Sequence, residues 1–148
     1  MNKCIFCKII KEDIPSHKIY EDDYIVAILD LFPNTEGQTL VISKIHYPSD
    51  YTKMPEDVYK NFLASAKALS HILEKKLEVE RVALVIEGTG VDHAHIKLYP
   101  LHDLEKNFSP EESKEKIYYD KYPGYIDTRL GEKENDEKLG RLANKIRT

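Results

Sequence analysis

The sequence has few of the features that place a protein in a membrane or outside the cell. Its two cysteines cannot brace a chain of 148 residues with disulfides, and a chain of this length buries a core without them. No stretch approaches the roughly 20 apolar residues of a membrane helix. The first residues lack the apolar run and small-residue cleavage site of a signal peptide, so we expect a cytoplasmic protein with no membrane association.

An excess of basic residues is also missing. The chain has 22 Lys and Arg against 26 Asp and Glu, which gives a formal net charge of −4. Such a chain lacks the positive charge that displaces counterions from a duplex, so we expect no non-specific nucleic-acid binding. What the sequence does contain, 41% hydrophobic and 32% charged residues, is typical of a folded globular domain rather than a disordered chain.

Hydrophobic patterning predicts an α+β fold. Short apolar and β-branched runs predict five strands, two of them within residues 18–30 and the others at 39–43, 82–86 and 94–99. Apolar residues spaced three and four apart predict one long amphipathic helix over 55–77. The order β-β-β-α-β-β favours an antiparallel sheet with this helix packed on one face.

The C-terminal third has a different composition, so we divide the chain into a domain at residues 1–102 and an extension at 103–148. The extension has few aliphatic residues and a charge-dense segment at 131–138. It also contains an aromatic cluster, formed by Tyr118, Tyr119, Tyr122 and Tyr125. We predict that it packs on the core or a partner subunit and ends in a charged helix over about 133–146. A disordered tail is the alternative, which the tyrosines disfavour for 118–125 only.

The segment 92–100 is the most informative part of the sequence. Because side chains on a strand alternate between faces, its apolar members point to a core and its nitrogen-bearing members point away from it. The second group comprises His93, His95 and Lys97, followed by Tyr99. Three such side chains on one face suit a pocket for an anion or a metal, and an exposed basic sheet face is the alternative.

A turn with small residues precedes this strand. Its sequence is Glu87-Gly88-Thr89-Gly90. Glycine lets backbone N–H groups approach a ligand closely, as they do in phosphate-binding concavities. The turn and the strand together predict a phosphate site beside an imidazole.

Six motifs follow one another in order along residues 4–100. They are CIFCKII at 4–10, DIP at 13–15, YEDD at 20–23, LD at 29–30, GQTLVISKIH at 37–46 and HAH at 93–95. This ordered series resembles the histidine triad (HIT) family of nucleotide hydrolases and transferases. The resemblance implies a short N-terminal helix beside the sheet, a homodimer with the long helix near the contact, and cleavage of a purine nucleotide phosphoanhydride or phosphoramidate.

The resemblance also implies roles for the residues of the last strand. The family pattern is His-φ-His-φ-His-φ-φ, with φ apolar, and its middle His attacks the α-phosphorus to form a nucleotidyl-histidine. That position is His95. The third position is Lys97, which can pair with a phosphate oxygen but does not readily exchange a proton near pH 7. A non-catalytic nucleotide-binding or sensing module is therefore the second interpretation. His102 is a candidate for the missing imidazole, although an ordinary surface His is the simpler interpretation.

A nucleoside pocket is implied in the same way. Asp30 stands where the family binds the ribose hydroxyls, and Gln38 replaces a common His and can still hydrogen-bond a phosphate. Thr89 and Gly90 are expected to donate to the phosphate. Three aliphatic residues fall at base-contacting positions: Ile14, Leu31 and Leu40. Aliphatic residues more often serve a core, and that alternative stays open for all three.

The two cysteines form a C-x-x-C pair, which could be a redox pair, part of a metal site or a coincidence. A redox pair opens a helix after a strand, and no strand is predicted before Cys4. Some family members resemble this chain in joining such a pair to two histidines. The resemblance therefore implies a structural zinc held by Cys4, Cys7, His46 and His93, with no open position for catalysis. Two buried free thiols with His46 capping a loop is the alternative.

Overall fold

The computed structural model describes residues 3–104, 113–128, 132–135, 137 and 138. The chain forms two compact units, Met1–Phe108 and Ser109–Thr148. In the second unit, the rings of Tyr119 and Tyr122 pack edge to face with centroids 5.2 Å apart. The charged helix predicted over about 133–146 lies largely outside the described residues. The packing of the extension on the core or on a partner stays a prediction.

One antiparallel sheet of five strands organises the first unit. The strands are β1 (Lys18–Glu21), β2 (Ile25–Leu29), β3 (Thr39–Ser43), β4 (Val82–Val85) and β5 (His95–Pro100), in the spatial order β1-β2-β3-β5-β4. The α+β prediction is confirmed. The last strand is shifted by one residue, since it was predicted over 94–99 and spans His95–Pro100. Pro100 has no N–H to donate, so it can stand at the end of the ladder, and its carbonyl accepts from the Thr35 hydroxyl at 2.9 Å.

The helices also follow from the sequence. The short α1 (Ile5–Ile10) precedes the sheet, and the long α2 (Glu56–Leu77) connects β3 to β4 after a single 3₁₀ turn at Tyr51–Lys53. The first turn of α2 contains acidic residues and its last turn contains lysines. This arrangement of charge is the one that the helix dipole favours. None of the helices in the described part of the chain is long and apolar enough to span a bilayer.

The two faces of the sheet carry different clusters. The main core joins α2 to one face, through Phe62, Leu69, Ile96 and Leu98 among others. On the opposite face a smaller cluster lies under α1, made of Phe6, Val26, Ile28 and Ile42. Because Ile42 is the register partner of His95, strand alternation puts the His95 side of β5 on the α1 face. The predicted separation of apolar and nitrogen-bearing side chains is therefore present in the fold.

Candidate functional site

The four residues predicted to bind a metal come together beside α1, although they are up to 89 positions apart in the sequence. Their ligand atoms all lie within 4.8 Å of one another. His93 Nδ1 is 3.4 Å from the Cys4 Sγ, 3.5 Å from the Cys7 Sγ and 3.1 Å from the His46 Nδ1. A tetrahedral zinc with ordinary bond lengths sets its N and S ligand atoms about 3.3–3.8 Å apart. The three distances from His93 Nδ1 are close to this range, and the four ligand types are those of a closed Cys2His2 metal site.

A backbone carbonyl fixes the nitrogen that His93 presents to this cluster. The fully buried His93 donates from Nε2 to the Ser43 carbonyl at 2.7 Å, so its Nδ1 carries the free lone pair. Burial lowers the pKa of His93, and the nearby His46 and His95 lower it further, which keeps the ring neutral as a metal ligand must be. Burial and the adjacent Cys4 raise the pKa of the Cys7 thiol, so this thiol ionises more readily when a cation is bound beside it.

The backbone also orients His95, the predicted nucleophile. Its Nδ1 donates to the His93 carbonyl at 2.7 Å, so the proton is on Nδ1 and the free lone pair is on Nε2. The imidazole is buried, and the ring of Phe6 packs against it edge-on with centroids 5.2 Å apart. An imidazole whose Nδ1 donates to a carbonyl presents the Nε2 lone pair, with its tautomer already set.

Lys97, on the same face of β5, forms an ion pair with Glu87. Val85 is the register partner of Lys97, so Glu87, two residues further along, is its diagonal neighbour on the same face. Burial lowers the pKa of Lys97, but the hydrogen bond to Glu87 and the negative charges of Glu87 and Asp30 outweigh it, and the pKa is raised. Lys97 is therefore a fixed positive charge at neutral pH.

Gln38 orients Asp30 inside the loop between β2 and β3. The buried Gln38 amide donates to the Asp30 Oδ2 at 2.7 Å and accepts from the Asn34 N–H at 2.8 Å. The other Asp30 oxygen accepts from the Phe32 N–H at 2.9 Å. These bonds engage both oxygens of the carboxylate and link residues of the loop to one another. The predicted hydrogen bond from Gln38 to a phosphate stays a prediction.

The three aliphatic candidates lie in different surroundings. Leu31 is 69% exposed, so it does not serve the core. Ile14 lines a cavity of about 190 Å³ together with Ile9, Ile10, Pro15 and Val26 among others. Leu40 is the register partner of Lys97 and packs against the smaller cluster. Their contact with a base stays a prediction.

The remaining candidates lie in loops at the two ends of β5. Thr89 and Gly90 are in the loop that leads into His93, where Gly90 has a left-handed φ of +81°. Their contact with a phosphate stays a prediction. His102 is exposed, and its Nε2 donates to the Glu36 carbonyl at 2.9 Å, as suits a surface histidine.

A sequence model of the HIT domain matches residues 11–104, which is more than half of the chain. The chain belongs to the HIT family. An uncharacterized HIT-like protein of Methanocaldococcus jannaschii is 37% identical over 105 residues, covering 68% of this chain and 80% of that protein. The adenosine 5'-monophosphoramidase HNT1 of Saccharomyces cerevisiae is also 37% identical, over 106 residues that cover 68% of this chain and 63% of HNT1.

Solved structures, one of them of a histidine triad family protein, share the fold. The Streptococcus mutans protein SMU.412c superposes with a TM-score of 0.74 at 31% identity, covering 99% of this chain and 85% of that one. A zinc-bound histidine triad family protein of Mycobacterium smegmatis has a TM-score of 0.66 at 26% identity, covering 95% of this chain and 90% of that one. The predicted family and fold are confirmed.

Two features of the site were not predicted. No role was predicted for Glu87, and Gln38 was assigned to a phosphate rather than to Asp30. The ion pair of Glu87 with Lys97 can be predicted only when the register of β4 on β5 is known, since the two residues are ten positions apart in the sequence. The second depends on the path of the loop between β2 and β3.

Proposed function

We propose that this protein is a nucleotide hydrolase or transferase in which His95 attacks the α-phosphate of a purine nucleotide. The observation that carries the proposal is the bond from His95 Nδ1 to the His93 carbonyl, which leaves Nε2 as the nucleophilic nitrogen. Lys97, two residues further on the same face, supplies a positive charge beside the phosphoryl oxygens. The relative HNT1 is named for cleaving a phosphoramidate of adenosine, and this supports the same substrate class here.

The reaction divides into two displacements. His95 Nε2 forms a bond to the α-phosphorus, while the bond to the leaving amine or phosphate breaks and its electron pair departs with that group. A leaving amine takes up a proton from solvent as it departs. The Nδ1–H bond to the His93 carbonyl then stabilises the positively charged ring. Water attacks the phosphorus next, the P–N bond returns its electrons to Nε2, and the proton of the water passes to solvent. One difficult substitution thus becomes two easier ones.

Release of AMP from adenosine 5'-phosphoramidate tests this proposal. We expect turnover by the wild type and a loss of at least about a hundredfold in His95→Asn, since the nucleophile is gone. His71→Asn, which changes an exposed histidine of α2 outside the site, is the matched control and retains the activity. Equal rates in wild type and His95→Asn would contradict the proposal.

The Glu87–Lys97 ion pair favours a second candidate function, a nucleotide-binding or sensing module without turnover. A lysine whose pKa is raised holds its proton and is a poor acid for a leaving group. Calorimetric titration with AMP, combined with a search for a covalent adduct, separates the two functions. Tight binding with neither adduct nor turnover supports the module.

We also propose that the four-residue cluster at α1 holds a structural zinc. The support is the spacing of the ligand atoms, the preset tautomer of His93 and the zinc-bound relative from Mycobacterium smegmatis. Four protein ligands leave no open coordination position, so the ion would fix α1 on the sheet rather than take part in the reaction. Reduced thiolate ligands favour a cytoplasmic setting, which we propose on that ground.

A homodimer is proposed on the family resemblance. In the first unit, β4 is an edge strand, and apolar Leu84 on β4 and Ile72 on α2 are each 41% exposed. The edge strand and the two exposed side chains are compatible with a subunit contact that includes α2. Light scattering of the purified protein tests the proposal, and a mass of about one chain would contradict it.

A further inference from the structure

Glu87 and Lys97 form an ion pair on the face of the sheet that carries His95. The Glu87 side chain is only 8% exposed, and that of Lys97 is 27% exposed. Glu87 follows β4 and Lys97 lies within β5, so the ion pair links two neighbouring strands of the sheet. A carboxylate this deeply buried is costly to keep charged without its cation. The two side chains are therefore expected to act as a unit.

We propose that Glu87 is a specificity-determining counter-ion, which competes with the phosphoryl oxygens of a bound nucleotide for Lys97. The inference rests on the proposed function of the same site and concerns how tightly that site holds anionic ligands. Residues two apart on a strand are about 6.5–7 Å apart on one face, so Lys97 lies close enough to His95 to contact a phosphate that His95 attacks. An arriving phosphate must share this ammonium with the carboxylate.

The charges around Lys97 favour competition over simple orientation. Asp30 and Glu87 both act on the Lys97 ammonium, so one positive charge faces two negative ones. A phosphate entering this environment gains less from Lys97 than it would from an unpaired lysine. Removing the charge of Glu87 while keeping its shape, as in Glu87→Gln, therefore strengthens the binding of anions. If Glu87 served only to orient Lys97, the same change would weaken that binding.

Calorimetric titration with AMP and with uncharged adenosine distinguishes the two roles. For Glu87→Gln we expect about tenfold tighter binding of AMP at low salt and a smaller gain at high salt, with adenosine unchanged. For Lys97→Met we expect weaker AMP binding, because the ammonium is lost while the Glu87 carboxylate remains beside the phosphate. The double variant Glu87→Gln with Lys97→Met returns toward wild type, since the local charge is again that of the intact pair.

The matched control is Glu56→Gln, which removes the carboxylate of the exposed Glu56–Lys60 ion pair on α2. It changes the net charge by the same amount away from the site, and we expect unchanged AMP affinity. Thermal unfolding of each variant checks that it is folded, and the near-isosteric Glu87→Gln decides the question even if Lys97→Met unfolds.

AMP affinity that is unchanged or weaker in Glu87→Gln, while wild type binds AMP, overturns the inference and leaves the proposed function standing. An equal gain for adenosine and AMP overturns it too, because the effect would then not be one of charge. Wild type that binds neither ligand removes the proposed function and this inference together.

Discussion

The ring of Phe6 packs edge-on against the imidazole of His95, with centroids 5.2 Å apart and planes at 64°. The Phe6 ring also packs edge-on against the imidazole of His93, with centroids 5.8 Å apart. Phe6 lies between Cys4 and Cys7 in the sequence, so one short segment supplies two ligands of the candidate metal site and packs on the proposed nucleophile. Anything that loosens α1 should therefore affect both the stability of the chain and the placement of His95.

Replacing Phe6 tests this relationship. Phe6 is buried in the smaller cluster, and Phe6→Ala is expected to lower the free energy of unfolding by about 3–5 kcal/mol, because it leaves a cavity beside Val26 and Ile42. Phe6→Leu, which keeps most of the volume, should cost less. Urea denaturation measures both. Wild-type stability in Phe6→Ala would show that α1 does not brace the His95 side of the sheet.

Removing a metal ligand is expected to loosen α1. Elemental analysis should find about one zinc per chain in the wild type and little in His46→Asn, since three ligands hold zinc less firmly than four. Chelator should lower the melting temperature of the wild type, because metal binding stabilises only the folded state. His71→Asn is the control, as His71 pairs with Glu74 on α2 instead. Retention of full zinc content by His46→Asn would exclude the proposed site.

The turn before β5 allows a comparison of two glycines. Gly88 and Gly90 both have left-handed φ, +65° and +81°. A Cβ at Gly88 would lie 3.2 Å from the Ser49 carbonyl oxygen, whereas one at Gly90 meets nothing within 4 Å. In each alanine variant the free energy of unfolding should fall by about 1–2 kcal/mol, because alanine is strained in the left-handed conformation. Gly88→Ala should be the less stable of the two, because the Ser49 backbone must shift to make room for the Cβ. Thermal unfolding measures both variants, and equal losses of stability would contradict this close approach.

Asp22 in the turn between β1 and β2 gives a prediction about pH. Burial raises its pKa, but hydrogen bonds from the Ser65 side chain and from the Tyr24 and Ile25 N–H groups outweigh this and lower the pKa below 3.8. Since the folded pKa is the lower one, the ionised carboxylate stabilises the fold above about pH 4, and this stability is lost as pH falls through the folded pKa.

Asp22→Asn should therefore be less stable than wild type at neutral pH, and the difference should shrink as the pH is lowered toward 3. Urea denaturation across this range measures it. Asp23→Asn, in the same turn and exposed, is the matched control. A difference between Asp22→Asn and wild type that is constant with pH would contradict the role of these hydrogen bonds.

Local patterns were enough to predict the elements that position the site. The run 39–43 was predicted as a strand with its observed bounds, and the helix predicted over 55–77 starts one residue later. Alternation along β5 also put His95 and Lys97 on one face correctly. Element bounds and strand alternation depend on residues that are close together along the chain, so a single sequence is enough to predict them.

The pairings between distant residues were not predictable in the same way. That Glu87 meets Lys97 depends on the register of β4 on β5, and that Gln38 meets Asp30 depends on a loop. The metal ligands were predicted from the family resemblance, because C-x-x-C by itself does not indicate which histidines complete the set. Their convergence at α1 required the fold.

The most direct test of the central claim is the mass of the intact protein during a single turnover with adenosine 5'-phosphoramidate. We expect the wild type to gain one nucleotidyl group, which peptide mapping places on His95, and His95→Asn to gain none while it still binds AMP. A nucleotidyl group that forms in His95→Asn, or that maps to another residue of the wild type, would contradict the claim.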